Sequence, residues 1–238
     1  MVTKVFVLGR PGSGKTTAVR HIIELTERRG YPVSRNKDYD ILYEMFLTDI
    51  RQEVFYPADY GGFIVHDFSV LDIALEKLEN KVQAEIASTK RGLFIIEFAR
   101  DDYCEALKHF TPDFLKDSYF LFVEAEVEIC IQRIHKRVTC SNKLDNHYVS
   151  DIIVRGYYGK DNSEYVMHNL ARDYGISKKV EVIKNNDTMQ VFVENIGQFA
   201  EVIFRQEDHT LCKASLFKEI PSPDSDEIPE LFVEVIGR

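Results

Sequence analysis

Residues 4–16 read KVFVLGRPGSGKT, and this stretch decides the fold. Residues 4–8 are a β-branched and aromatic run, which predicts a buried strand. Residues 9–16, GRPGSGKT, meet every fixed position of G-x-x-x-x-G-K-[ST]. Beyond them Ala18, Val19, Ile22 and Ile23 keep helical spacing, so a helix is expected over residues 15–29, where Gly30 stops it. A strand, a glycine-rich turn and a helix, in that order, form the setting in which such a motif wraps a chain of phosphates.

Each position in the motif has a physical task. Gly9, Gly12 and Gly14 allow backbone angles and a close approach that a Cβ would block. The amides of the loop Gly9-Arg10-Pro11-Gly12-Ser13-Gly14 point into a concave nest, and the start of the helix, with Thr17, adds a positive dipole end. Lys15 is placed to reach the β- and γ-phosphate oxygens, and the Thr16 hydroxyl to hold Mg²⁺. The expected cofactors are therefore ATP and Mg²⁺.

The remaining pattern alternates strands with helices. Strands are expected near Val33, at 93–98 (LFIIEF, the most apolar and so the central one), at 119–123 and at 180–183. Helices are expected at 39–51, along Leu71, Leu75, Leu78, Val82 and Ile86, at 101–110, from Thr111-Pro112, along Val127 to Val138, at 149–158, at 164–174 and at 187–205. Asp187 is the expected cap of the last helix. Residues 54–68, with Pro57 and Gly61-Gly62, read as a loop or small hairpin, and 139–147 as a polar mobile loop. After residue 206 the pattern dissolves into an acidic tail containing the run EIPSPDSDEIPE. This succession implies an α/β domain over residues 1–205, a mostly parallel sheet with helices on both faces, and a tail over 206–238.

Charge and cysteine usage narrow the function classes. A net charge of −9 sets the surface against nucleic acid and anionic membranes. The cysteines, Cys104, Cys130, Cys140 and Cys212, form no C-x-x-C pair, and the histidines show no ligand spacing, so no structural metal is expected. The first strand is too short for a signal or a membrane helix, which makes the expectation a cytoplasmic protein. An N-K-x-D guanine signature is approached only by Asn36-Lys37-Asp38-Tyr39, which precedes the central strand and so sits in the wrong place.

Beyond the loop, the chain resembles the adenylate-kinase-like branch of P-loop kinases over roughly residues 3–205. That resemblance implies a five-stranded sheet in the order 2-3-1-4-5 and a helical lid around residues 138–160. It implies transfer of the γ-phosphoryl group to a nucleotide or nucleoside. It gives Glu97 and Arg100, in IIEFAR, the roles of Mg²⁺ or proton management and of a grip on phosphate. Arg133 and Arg137, in QRIHKR, resemble the arginines entering the lid, which stack on adenine and neutralise phosphate; Arg155 resembles the one after it. Asn185, Asn186 and Asp187 lie where these kinases touch the adenine edge, and Asn186 joins the cofactor-binding set.

The acceptor side departs from the pattern. The arginine that holds a monophosphate in adenylate kinases falls at Tyr43, and the sequence offers Asp38-x-Asp40 instead. Sugar, shikimate and polynucleotide 5′-hydroxyl kinases use an aspartate near this point on an acceptor hydroxyl. Such an acceptor must lose a proton, which a carboxylate within reach can take. Asp38 or Asp40 is either that base or the cap of the next helix. Arg35 and Arg51 are further cations that could hold an anionic acceptor, while Tyr56, Asp59, Tyr60 and His66 lie in a loop able to cover it. A kinase for another hydroxyl acceptor and a non-catalytic ATP-binding regulator stay open beside the nucleotide or nucleoside kinase.

Overall fold

The computed structural model describes residues 2–58, 62–138 and 148–216. The chain divides into a body, Met1–Ile203, and a second unit, Phe204–Arg238. In the body, β1 (Val2–Leu8) pairs in parallel with β5 (Gly92–Glu97) on one side and β6 (Ser118–Glu124) on the other. Outside these, β2 (Val33–Lys37) pairs with β5 and β7 (Val180–Lys184) with β6, again in parallel. The five-stranded order β2-β5-β1-β6-β7 is the 2-3-1-4-5 order that the resemblance implied. β3 (Phe55–Pro57) and β4 (Phe63–Val65) form a separate antiparallel hairpin, so the small-hairpin reading of 54–68 is the one observed.

The sheet is apolar on both faces because β1, β5 and β6 are buried almost throughout. Period-two alternation sends Phe6, Leu8, Phe94, Ile96, Phe120 and Phe122 to one face. There α3 (Ser69–Ser88) contributes Leu71, Leu75, Leu78 and Val82. Phe6 stacks on Phe120 at 4.7 Å between ring centroids and meets Phe110 edge-on at 5.2 Å. Each such ring contributes about 2–3 kcal/mol through the area it removes from water. Val5, Val7, Leu93, Ile95, Tyr119 and Leu121 face the other way. There α1 (Lys15–Arg28) supplies Ala18, Val19 and Ile22, and α10 (Met189–Leu216) supplies Phe192, Ile196 and Phe199.

Several boundaries differ from the sequence expectation for local reasons. α2 spans Asp38–Thr48 and stops short of residue 51 because the Asp49 carboxylate accepts the amides of Glu53, Val54 and Phe55 and turns the chain into β3. The 101–110 stretch is α4 (Tyr103–Ala106), capped by Asp102, followed by a 3₁₀ turn over Leu107–His109. Pro112 opens α5 (Pro112–Lys116), α6 spans Val127–Val138 and α7 spans Asp151–Gly156. The 164–174 stretch is two helices, α8 (Ser163–His168) and α9 (Leu170–Tyr174), broken at Asn169. α10 begins after Thr188, whose hydroxyl accepts the Val191 amide, so Asp187 is not its cap. It runs on to Leu216 because neither glycine nor proline interrupts residues 206–216. Residues 139–147 at the expected lid, Asp59 and Tyr60, Cys140, and the tail 217–238 lie outside the described residues, as does the Cys212 side chain. No helix among the described residues is long and apolar enough to cross a membrane.

Candidate active site

The loop between β1 and α1 has the shape its glycines require. Gly9, Gly12 and Gly14 sit at φ 136°, 82° and 115°, in territory that residues with a Cβ rarely enter. A Cβ on Gly12 would stand 2.5 Å from the Cys130 carbonyl oxygen, and one on Gly14 would collide with the Asn185 amide nitrogen. The turn closes through the Ser13 amide, which donates to the Arg10 carbonyl at 3.2 Å. The Ser13 hydroxyl is buried and has no hydrogen-bond partner among the described residues. An orphaned hydroxyl in a nest of amides fits an anionic ligand. Lys15 Nζ folds across the loop and donates to the carbonyls of Gly9 at 2.7 Å and Arg10 at 3.1 Å. Burial lowers the affinity of Lys15 for its proton, while Glu97 and Asp38 oppose that.

Three side chains outside the motif hold this loop. The Tyr103 hydroxyl accepts the Gly9 amide at 2.8 Å, and the carbonyls of Gly9 and Phe98 lie 3.2 Å away to receive its proton. Burial keeps that phenol protonated far above the ordinary tyrosine range. Asn185, just past β7, donates to the Ser13 carbonyl at 2.6 Å. Arg133 on α6 donates to the carbonyls of Ser13 at 3.3 Å and Asn185 at 2.9 Å. Neither Tyr103 nor its support Asn162, which accepts the Tyr103 amide at 2.9 Å, carried any motif or periodic signal.

From the loop a cavity of about 930 Å³ extends past the carboxyl ends of β5 and β2. Ligands of open parallel sheets bind at such ends. Pro11, Gly12, Gly14, Lys15, Thr16 and Thr17 line its loop end, with Arg133 and Arg137. Asp38, Glu97 and Arg100 line the far part, with Arg35. Glu97 Oε2 accepts from Arg35 Nε at 3.0 Å and Nη2 at 2.6 Å. Arg100 is buried; its Nη1 donates to Asp38 Oδ2 at 2.5 Å and to the Ala99 carbonyl at 2.6 Å, and its Nη2 to the Leu71 carbonyl at 2.5 Å. Burial pushes the Asp38 carboxyl upward, and the Arg100 and Lys15 charges act against it. A buried pair of this kind adds little stability over apolar packing, and so points to a functional demand.

The structure separates residues that adjacency in the sequence left together. Asp38 opens α2 without capping it; the backbone cap is Lys37, and no side chain supplies the cap. Asp40 is half-exposed, pairs with Lys37 at 3.1 Å and does not line the cavity. Asn186 also lies off the cavity: its Oδ1 accepts the Glu126 amide at 3.0 Å, whereas its neighbour Asn185 touches the loop. Arg155 pairs with Glu128 in an exposed setting, and Arg51 is exposed beside Glu53. Arg10 turns outward to the Lys160 carbonyl at 3.2 Å. Tyr56 and His66 meet edge-on at 5.5 Å and do not line the cavity, while Phe63, Ile64 and Val65 of β4 do. Tyr157 and Tyr158, which follow α7, also line it and were not foreseen from the sequence.

Comparison with known proteins places no family on the chain: no family model matches it, and no curated protein matches its sequence. Solved structures match most of the chain at low identity. A gluconokinase from Sinorhizobium meliloti 1021 is 14% identical, with 86% of this chain and 97% of that one covered and a TM-score of 0.45. A shikimate kinase from Acinetobacter baumannii in complex with shikimate is 14% identical, covering 93% and 97%, at 0.39. A deoxyadenosine kinase from M. mycoides with bound dATP is 13% identical, covering 82% and 98%, at 0.46.

Proposed function

We propose that this chain is a magnesium-dependent kinase that moves the γ-phosphoryl group of ATP to a small acceptor, a nucleotide or nucleoside. One observation carries the reading. A glycine-formed anion nest with an adjoining lysine opens into the same cavity as a buried carboxylate–guanidinium pair. A phosphoryl donor and an acceptor need that proximity for direct in-line transfer.

The loop amides, the Ser13 hydroxyl and Lys15 bind the triphosphate. Thr16 and Glu97 serve the metal ion; one hydroxyl and one carboxylate suit Mg²⁺, which keeps several waters and takes further oxygens from phosphate. Magnesium supplies charge neutralisation on the transferred group. Arg133 and Arg137 meet the charge spread over the phosphoryl oxygens, and Arg133 and Asn185 keep the loop in shape. Arg100 fixes the carboxylate of Asp38 and holds the chain at Leu71.

Incubation with [γ-³²P]ATP, magnesium and a panel of nucleosides and nucleotides tests the reading. A labelled product lost in Lys15→Ala is expected. Equal product from Lys15→Ala, or ATP hydrolysis with no labelled acceptor, would count against it.

A further inference from the structure

We propose that the acceptor is a nucleoside, an uncharged alcohol carrying a flat ring, and that its hydroxyl is presented to Asp38. This deepens the kinase reading and rests on it. Three independent observations at the far end of the cavity lead to it.

The first is the distribution of charge. The guanidinium groups of Arg35 and Arg100 at this end are each engaged by a carboxylate, Glu97 and Asp38, and Lys37, which also lines the cavity, pairs with Asp40 at 3.1 Å. A monophosphate brings close to two negative charges and would face the Asp38 carboxylate. The loop end is the reverse: Lys15, Arg133 and Arg137 line it, and no carboxylate lies among its described lining residues. Anionic charge is therefore accommodated at the donor end, and the acceptor end is nearly balanced.

The second is the wall. Tyr39 stacks on Phe63 at 5.4 Å and 17° along one part of the cavity lining. Phe68 and Tyr157 meet at 5.1 Å along another. The four rings come from α2, β4, the residue before α3 and the residue after α7, so four chain segments supply aromatic rings to the cavity lining. Aromatic faces hold a planar base by stacking and discriminate little among hydroxyls of an aliphatic polyol.

The third is the unused oxygen. Asp38 Oδ2 takes the Arg100 hydrogen bond, and Oδ1 takes none among the described residues. Arg100 thus holds a carboxylate that lines the cavity and leaves one accepting oxygen, in the same cavity as Lys15. In the step, the acceptor oxygen bonds to the γ-phosphorus as the bond from that phosphorus to the β–γ bridging oxygen breaks. The hydroxyl proton passes to Asp38, and ADP leaves with the bond's electron pair.

The test uses the full chain and two readouts. Calorimetry measures binding of adenosine, guanosine, cytidine, uridine, thymidine, their 5′-monophosphates and ribose. Labelled MgATP then measures transfer. The expected result is one nucleoside bound at least about tenfold more tightly than its monophosphate and than ribose, and converted to the 5′-monophosphate. Phe68→Ala, an exposed position, is expected to weaken that nucleoside about 5- to 100-fold while MgATP affinity holds. Asp38→Asn is expected to lose transfer at least about 100-fold in kcat with nucleoside affinity kept. A monophosphate or ribose that binds as well as any nucleoside, or an unchanged Phe68→Ala, would overturn the inference and leave the kinase reading standing. Absence of MgATP binding would overturn both, and its separate titration identifies that case.

Discussion

Tyr103→Phe isolates one hydrogen-bonding atom of the phosphate loop. The ring stays in place, edge-on to Phe122 at 5.5 Å and beside Phe98 at 5.5 Å, so no cavity opens. What disappears is the phenolic oxygen that accepts the Gly9 amide at 2.8 Å. Gly9 is buried, and among the described residues its amide has no other partner once the oxygen is gone. The loss combines a hydrogen bond of about 1 kcal/mol with a stranded buried donor of about 1–3 kcal/mol, about 2–3 kcal/mol together after overlap. For a domain of this size that is a fall of about 4–12 °C in Tm. Urea denaturation and a thermal melt check this, with calorimetry of MgATP alongside. MgATP affinity should also fall, because Gly9 is the first residue of the nest. Stability within about 0.5 kcal/mol of the parent and unchanged MgATP affinity would refute the anchoring role.

Further outcomes follow from the same geometry. Asn185→Ala removes the side chain that holds the Ser13 carbonyl, and about a tenfold loss of MgATP affinity is expected by calorimetry. Asn186→Ala should change that affinity less than about twofold, a surface change worth under about 0.5 kcal/mol. Glu79→Ala removes a buried carboxylate that accepts from the amide and hydroxyl of Thr111 and from Gln83. It should cost about 2–4 kcal/mol in denaturation with the acceptor's KM unchanged. The alkaline limit has a definite sign. Burial raises Tyr103 and raises Tyr158 to about 12, while unfolded tyrosine ionises near about 10. Above that value the unfolded chain releases protons that the native chain keeps, so stability falls as pH rises from about 10. Denaturation midpoints at pH 9 and pH 11, read with phenolate absorbance, check the direction.

The donor loop was legible because four fixed residues stand at fixed spacing between a strand and a helix, and its physics is local. The sheet order was not readable from spacing; it came from the family resemblance. Ambiguity survived where neighbours on one element face opposite ways. Asp38 and Asp40 are two apart on a helix and so point to different sides; only Asp38 reaches the cavity. Asn185 and Asn186 are consecutive beyond β7 and diverge in the same way. Tyr103 left no trace because its partner is ninety-four residues away and its role depends on where β1 and α4 meet. Arg35 and Glu97 met only because β2 pairs with β5 in the register Lys37↔Glu97, a long-range fact.

The central claim is that the Gly9–Thr16 turn binds the triphosphate of ATP through its amides and Lys15. Calorimetric titration of MgATP into the parent chain and into Lys15→Ala tests it most directly. The account predicts saturable binding by the parent, with a Kd in the range of about 1 μM to 1 mM, and at least about a tenfold loss in Lys15→Ala. No binding by the parent, or equal binding by both, would contradict it.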